Sequence, residues 1–213
     1  MGLTGMASKW KKNGLICAAA ASLSLGLVWL ASASTADEIA LLAKWMEWKP
    51  GTVVADIGAG DGRFSFEAAG RVGPTGRVYA TEIDEGKLKE LRDEVKRRNL
   101  TNVTVVTSKE ADTGLADGCC DAIFLRRVYH HLTKPEEFDA RLVAALRPGG
   151  RLAIIDFPPR AGYEKVEGIP ANRGGHGIAE KLVVQELTAA GLKTEREIKD
   201  WPDDDYCVIF VKR

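Results

Sequence analysis

The first residues whose types and spacing suit chemistry are an acid and three glycines. Asp56, Gly58, Gly60 and Gly62 occupy alternate positions directly after an apolar run. Glycine adopts positive φ and lets a ligand lie against the backbone, so we expect a strand, a tight turn and a helix start. The spacing is not the G-x-G-x-x-G of dinucleotide-binding enzymes, and no Gly-Lys-Ser/Thr sequence follows to hold phosphates. The acid at the strand end therefore favours a ligand with an amine and a ribose over one with a pyrophosphate.

A second acid, Glu82, ends the next apolar segment of the chain. A carboxylate about twenty residues after such a glycine turn can accept hydrogen bonds from both hydroxyls of a ribose. A solvated charge at a strand end is the alternative interpretation of Glu82 taken alone. Its position behind the glycines favours the ribose.

Two of the three histidines in the chain follow a later apolar run, in the sequence Tyr129-His130-His131. An imidazole with a pKa near neutrality can deprotonate a hydroxyl, a thiol or an acidic carbon, although each histidine can equally be a packing residue. We expect His131 to be the acid-base or orienting group, Tyr129 to form a wall of the substrate site and His130 to pack internally. A base at His131 predicts turnover that rises with pH through roughly 6–7. His176, before the last long helix, could reach the same pocket, but a surface position at the start of that helix is expected instead.

These residues are positioned by strands and helices that alternate from Thr52 onward, which predicts a parallel sheet with right-handed crossovers. The predicted strands are 53–56, 77–82, 102–107, 121–125, 151–157, 193–199 and 206–212. The predicted helices are 35–48, 63–70, 84–99, 134–146 and 178–190. The first helix is expected to begin with a capping box at Thr35–Glu38. Residues 158–175 are expected to form a long loop, such as a lid.

Four features in order carry a resemblance to a known family: the glycine-rich turn, Glu82, the strand at 121–125, and Leu146-Arg147-Pro148-Gly149-Gly150 before the fifth strand. On this series residues 36–213 resemble the class I S-adenosylmethionine (SAM)-dependent methyltransferases, in the generic group that includes the ubiquinone-biosynthesis C-methyltransferases. Within that group the Tyr-His-His run is similar to that of small bacterial members with a signal-like leader.

The resemblance implies an α/β fold with a Rossmann-like seven-stranded sheet, in the order 3-2-1-4-5-7-6, with strand 7 antiparallel and helices on both faces. It implies that SAM lies across the carboxyl ends of strands 1 and 2 and gives its methyl group to a small-molecule or lipid-like acceptor. Asp56 and Gly58 would face its methionine moiety, Glu82 its ribose, and Lys109–Asp112 its adenine. The residues expected to bind the cofactor are Asp56, Gly58, Gly60, Asp61, Gly62, Glu82, Ile83, Glu110, Ala111 and Arg126. The absence of Asn/Asp-Pro-Pro-Tyr after strand 4 argues against adenine amines and glutamine as acceptors.

The composition suits one α/β domain with an extension. Thirty basic residues balance thirty acidic ones in a chain of 213 residues, so no charge pattern indicates a nucleic-acid partner. The four cysteines are Cys17, Cys119, Cys120 and Cys207, and their spacing fits neither a metal site nor a disulfide framework. We therefore expect no metal, and the adjacent Cys119 and Cys120 are expected to be small core or edge residues.

Residues 1–33 have the three-part pattern of a secretory signal peptide. Lysines precede an uncharged run from Leu15 to Ala33, which ends in Ala31-Ser32-Ala33, a sequence that suits a signal peptidase. An uncleaved membrane anchor is the close alternative. We expect residues 34–213 to be the methyltransferase domain, exported or anchored in the cell envelope and in contact with the membrane only through residues 1–33. This location conflicts with the cytosolic origin of SAM.

Two other functions compete with methyl transfer. A non-catalytic protein of the cell envelope, with the same fold and a ligand or partner to bind, is favoured by the leader. The intact glycine turn and Glu82 favour the enzyme instead. An NAD(P)-dependent reductase is disfavoured by the glycine spacing and by the lack of a Tyr-x-x-x-Lys pair. The sequence predicts no oligomeric state.

Overall fold

One seven-stranded sheet organises the residues that the computed structural model describes, which are 34–160, 162 and 167–213. Its strands are β1 (Val53–Ile57), β2 (Arg77–Glu82), β3 (Val103–Thr107), β4 (Cys120–Arg126), β5 (Leu146–Asp156), β6 (Lys193–Trp201) and β7 (Asp205–Val211). They lie in the order β3-β2-β1-β4-β5-β7-β6, with β7 antiparallel to both neighbours and the other pairs parallel. The predicted Rossmann-like fold and strand order are therefore confirmed.

Five α-helices accompany the sheet within these residues; the first precedes β1 and the other four connect strands. They are α1 (Thr35–Trp45), α2 (Arg63–Val72), α3 (Glu85–Arg97), α4 (Pro135–Ala145) and α5 (Glu180–Ala189). Helix α1 is shorter than predicted, and Glu47 beyond its end has a φ of 55°. Its capping box lies one residue earlier than predicted, because Ser34 Oγ accepts from the Asp37 N–H at 3.2 Å and the Asp37 carboxylate accepts from the Ser34 N–H.

Apolar residues bury both faces of the central strands. In β1, Val54 belongs to a core cluster with residues of α1 and α2, whereas Ala55 and Ile57 belong to a cluster with residues of α4 and α5. Successive side chains of a strand point to opposite faces, so a strand with helices on both sides needs a continuous apolar run. This requirement explains the apolar run that precedes Asp56.

The predicted leader, residues 1–33, lies outside the residues that the structure describes, as do residues 161 and 163–166 of the predicted loop. Within the described ranges, no helix combines the length and the apolar character needed to cross a membrane. The first described residue, Ser34, is the cap of α1.

Cys119 and Cys120 form a disulfide between adjacent residues at the start of β4. The sequence predicted only small core or edge residues there, so the pairing corrects that interpretation, although Cys120 is buried as predicted. Cys207 is a buried free thiol in β7. Among residues 34–160, 162 and 167–213, no group of three or more His, Cys, Asp or Glu side chains has an arrangement suited to a metal ion.

Tyr129 lies in the core, so its predicted role as a wall of the substrate site is wrong. Its side chain is fully buried, and its hydroxyl donates to Asp139 Oδ2 at 2.8 Å, with Glu186 Oε2 at 3.0 Å. The guanidinium of Arg173 lies over the ring, 4.8 Å from its centroid, and donates to the Tyr129 carbonyl. Tyr129 therefore anchors the short 3₁₀ turn Tyr129–His131 to α4 and α5.

Replacing Tyr129 by Phe should lower stability, because the change leaves the buried Asp139 carboxyl group without its donor. We expect a loss of roughly 1–3 kcal/mol, or roughly 2–10 °C in Tm for a domain of this size, by thermal unfolding at neutral pH. Tyr79→Phe is the matched control, since the half-buried Tyr79 makes no hydroxyl hydrogen bond within the described residues. Equal Tm values for the two variants would contradict the assignment.

Candidate active site

The carboxyl ends of the central strands enclose two adjoining clefts. The larger cleft, of about 580 Å³, is lined among others by Gly58, Glu82, Ile83, Glu110, Arg126 and His131. The smaller cleft, of about 440 Å³, is lined among others by Asp56, Gly58, Gly60, Asp61 and Arg126. Gly58, Lys87, Arg126 and Arg127 line both, so the clefts meet at the glycine turn. Most of the residues predicted to bind the cofactor are thus brought together.

The three glycines of the turn all have positive φ, at 71°, 57° and 78° for Gly58, Gly60 and Gly62, but their surroundings differ. A Cβ at Gly58 would lie 2.6 Å from Cγ2 of Val128, and one at Gly62 would lie 2.5 Å from the Phe66 ring. A Cβ at Gly60 would meet no heavy atom closer than 4.0 Å. Gly62 lines neither cleft and serves packing, in contrast to its predicted cofactor contact. Of the three, Gly60 is the one that borders open space.

The carboxylate of Glu82 is buried where β2 meets the glycine turn. Its Oε2 accepts from the Gly60 N–H at 3.1 Å, and its Oε1 accepts from the N–H groups of Ile83 at 2.8 Å and Asp84 at 3.2 Å. These donors stabilise the ionised carboxylate and hold it at the boundary of the larger cleft. The sequence predicted the position of Glu82 but not its bond to Gly60.

Asp56 is buried beside the smaller cleft, at the end of β1. Ser65 Oγ donates to its Oδ2 at 2.7 Å, the only side-chain hydrogen bond of Asp56 within the described residues. Burial raises the pKa of Asp56 from 3.8 to about 7, against the smaller opposing effect of the Ser65 hydrogen bond. The group is therefore close to half ionised at neutral pH in the ligand-free protein.

Arg126 lines both clefts, as predicted, but its charge is already paired. Its Nε donates to both carboxylate oxygens of Glu38 at 2.9 and 3.0 Å, and its terminal nitrogen donates to Asp203 at 3.1 Å. The buried Glu38 also accepts from Trp201 Nε1 at 2.8 Å. The guanidinium lies over the Phe64 ring, 4.7 Å from its centroid. Arg126 thus links α1 and the β6–β7 connection to the cleft.

The remaining predicted contacts lie at the edges of the clefts. Ile83 lines the larger cleft and is 54% exposed, the largest exposure of an apolar side chain in the described part of the chain. Glu110 also lines it, with its carboxylate 3.8 Å from Lys134 Nζ, whereas Ala111 lines neither cleft. Asp61 lines the smaller cleft and pairs with Arg63 at 2.8 Å.

All three histidines of the chain meet beside the larger cleft. The ring centroids of His130 and His131 are 4.0 Å apart, and that of His176 lies 5.1 Å from His130 and 6.2 Å from His131. They surround a cavity of about 300 Å³, which we call the histidine cavity; it is lined by Arg127, His130, His131, Phe157, Arg160 and His176. The prediction of His176 as a surface residue is wrong, because the backbone after β5 returns it to the strand ends.

His130 is almost fully buried and bound to Asp156, the last residue of β5. Its Nδ1 lies 2.8 Å from Asp156 Oδ1, and its backbone N–H donates to Asp156 Oδ2 at 3.1 Å. Its Nε2 is buried and has no hydrogen-bond partner among the described residues. The packing role predicted for His130 therefore explains the contact of Nδ1 with Asp156, but it does not explain why Nε2 has no partner among the described residues.

His131 lines both the larger cleft and the histidine cavity. Partial removal of its ring from water and the neighbouring His130 lower the pKa of His131 to about 4. The rise in turnover predicted through pH 6–7 does not follow for this residue, since its imidazole is already neutral there.

Residues 55–154 match a protein family described as a methyltransferase domain. The ubiquinone/menaquinone biosynthesis C-methyltransferase UbiE of Ectopseudomonas mendocina is 30% identical over 110 residues, which are 51% of this chain and 43% of that protein. The demethylmenaquinone methyltransferase of Listeria welshimeri is 28% identical over 125 residues, which are 58% and 53% of the two chains. A SAM-dependent methyltransferase from Aquifex aeolicus has a similar structure, with a TM-score of 0.70 and 26% identity over 82% of this chain and 89% of that one.

Residues 55–154 therefore carry the sequence of a class I SAM-dependent methyltransferase domain. The cofactor of this family is SAM, as the sequence predicts. The chain spans about half the length of the curated relatives that it matches.

Replacing Asp56 by Asn should remove part of the pH dependence of the protein's stability. Because burial raises the pKa of Asp56 to about 7, the folded protein holds this proton more tightly than the unfolded chain. The free energy of unfolding should therefore fall as the pH rises from about 4 to about 7, and this part of the fall should be absent in the variant, which keeps an acceptor for Ser65.

Urea unfolding at about pH 5 and about pH 8 measures this difference. Asp139, whose pKa burial also raises to about 7, contributes a fall of the same sign to both proteins. The contrast between the two proteins therefore isolates Asp56. An identical pH dependence in both would show that Asp56 is ionised throughout this range.

Proposed function

We propose that this chain transfers the methyl group of SAM to a small-molecule or lipid-like acceptor. The observation that carries the proposal is the buried Glu82 carboxylate, which borders the larger cleft and is held by the N–H of Gly60. A carboxylate so fixed beside a glycine turn suits the two hydroxyl groups of a ribose. The family match over residues 55–154 supports the same reaction.

The clefts fit the two halves of the cofactor. The exposed apolar face of Ile83, with Ser108 and Glu110, suits an adenine in the larger cleft. The open space at Gly60 and the buried Asp56 suit the methionine moiety in the smaller cleft, where an ammonium group would favour the ionised form of Asp56. We assign no direct contact to Gly62 or Ala111.

The protein would contribute to the reaction mainly by holding the cofactor and the acceptor in position. When bound, SAM supplies an electrophilic methyl group on a sulfonium centre. Glu82 would hold its ribose and Asp56 its methionine moiety. Arg126, which is held by Glu38 and Asp203, would keep the wall between the clefts rigid. In-line transfer requires chiefly that the acceptor be held close and correctly oriented. His131, between the larger cleft and the histidine cavity, would help to orient it.

The names of the relatives suggest the chemical type of the acceptor. They are described as ubiquinone, menaquinone and demethylmenaquinone methyltransferases. We propose an aromatic ring acceptor of comparable kind, small or carrying a lipid-like tail. A nucleic-acid acceptor is disfavoured by the balance of basic and acidic residues.

We further propose that residues 34–213 are the catalytic domain and that residues 1–33 export or anchor it in the cell envelope. The support is the leader pattern in the sequence and the helix cap at Ser34, directly after the predicted cleavage site. Membrane contact would then be made through residues 1–33.

Replacing Glu82 by Gln should weaken SAM binding. The amide keeps the shape of the side chain but loses the charge and one acceptor oxygen, so we expect a loss of roughly 1.5–3 kcal/mol, or about 10- to 150-fold in Kd, by isothermal titration calorimetry. Glu90→Gln on the exposed face of α3 is the matched control and should leave Kd unchanged. An unchanged Kd in Glu82→Gln would refute the ribose assignment.

Replacing Gly60 by Ala should also weaken SAM binding, because the new methyl group occupies the space left for the cofactor. Gly118→Ala is the matched control: Gly118 has a φ of 62°, close to the 57° of Gly60, and open space around its Cβ position. Backbone strain should therefore lower the Tm of both variants similarly, while only Gly60→Ala raises Kd, by about 10-fold or more. Equal Kd values would mean that the turn is purely structural.

A further inference from the structure

The tautomer of His130 follows from the surroundings of Asp156. Every hydrogen bond to the Asp156 carboxylate from the described residues comes from a nitrogen: the N–H groups of His130 and Phe157, and Nδ1 of His130. A carboxylate only accepts, so Nδ1 carries the hydrogen. In the neutral ring Nε2 is then a proton acceptor, held in one orientation by Asp156.

This acceptor is left without a partner inside the protein. Nε2 of His130 is buried and makes no hydrogen bond with any described residue, although the ring lines the histidine cavity. Leaving a buried acceptor unsatisfied carries a free-energy cost. A hydroxyl group bound in the cavity would remove this cost by donating to Nε2.

The other walls of the histidine cavity favour an aromatic, negatively charged guest. Phe157 supplies an apolar ring, and the guanidinium of Arg160 lies 4.7 Å from the centroid of that ring. Arg160 forms no ion pair among the described residues, whereas Arg127 is paired with Asp205 at 2.8 Å. The unpaired cation of Arg160 can stabilise an oxyanion that forms in the cavity.

The histidine cavity lies directly beside the cleft assigned to the cofactor. Arg127 and His131 line both the cavity and the larger cleft. A volume of about 300 Å³ is at the lower end of the range for small-molecule sites, so it suits one or two rings and not a long chain.

We propose that the histidine cavity is the acceptor site, that it takes an aromatic compound with an ionisable hydroxyl group, and that His130 Nε2 removes the hydroxyl proton. This inference rests on the proposed methyl transfer. The O–H bond breaks and its proton passes to Nε2. The oxyanion forms a bond to the methyl carbon, while the carbon–sulfur bond breaks and leaves its electron pair on sulfur. Where a ring carbon that shares the charge forms this bond instead, the hydrogen on that carbon then leaves to solvent as a proton and the aromatic ring is restored. Asp156 is a positioning residue, which accepts from Nδ1 and so fixes the orientation of the ring and of Nε2.

The test needs no SAM and uses 4-nitrophenol, whose phenolate absorbs visible light. At a pH where the compound is neutral in solution, binding to the full chain should produce the phenolate absorbance, because His130 takes the proton. His130→Asn should abolish the signal, since the Asn amide keeps a donor for Asp156 but removes Nε2. Asp156→Asn should reduce it, because the ring is then free to adopt the other tautomer.

SAM binding, measured by calorimetry on the same proteins, separates the two proposals. Wild type and His130→Asn should bind SAM with equal Kd, which also shows that the variant is folded. The inference is overturned if wild type gives no phenolate signal or if His130→Asn retains it. Failure of every protein to bind SAM would instead refute the proposed function, whatever the phenolate signal shows.

Discussion

The hydrogen bond from the Gly60 N–H to the Glu82 carboxylate joins the two strands on which the candidate active site depends. It fixes the glycine turn after β1 against the end of β2, and the N–H groups of Ile83 and Asp84 hold the other oxygen. Because the carboxylate is buried, these donors must replace the water that it gives up. The Glu82 carboxylate, which suits the hydroxyl groups of a ribose, therefore also fixes the shape of the glycine turn.

Buried acids end three strands of the sheet on the same edge. Asp56 is the last residue but one of β1, and Glu82 and Asp156 are the last residues of β2 and β5. All three side chains are almost inaccessible to solvent. Each is held differently: Asp56 by a serine hydroxyl, Glu82 by backbone N–H groups and Asp156 by backbone N–H groups and an imidazole. Between them, β4 ends in Arg126 and Arg127, whose partners come from distant parts of the chain. One edge of the sheet therefore offers three carboxyl groups, each held by different donors.

The strands and most of the cleft could be predicted from sequence, because both depend on local patterns, whereas the strand order follows only from the resemblance to a known family. Apolar runs mark strands that are buried on both faces, and an acid or a glycine just beyond such a run must lie at the carboxyl edge. Tyr129 was misplaced because side chains no longer alternate once a strand ends and a 3₁₀ turn begins. His176 and the Asp156–His130 pair depend on contacts between segments far apart in the chain, which spacing does not encode. Arg126 was placed at the cleft, but its pairing with Glu38, 88 residues earlier, carries no local signal.

A cation that binds beside Asp56 must displace a proton at acidic pH. Since burial raises the pKa of Asp56 to about 7, the carboxyl group is mostly protonated below that pH in the ligand-free protein. An ammonium group placed next to it favours the carboxylate, so the proton leaves to the buffer. With the methionine ammonium at this position, uptake of SAM is coupled to proton release, and its affinity increases with pH until Asp56 is ionised. The heat of binding would then vary with the ionisation enthalpy of the buffer, although Asp56 takes no part in the transfer itself.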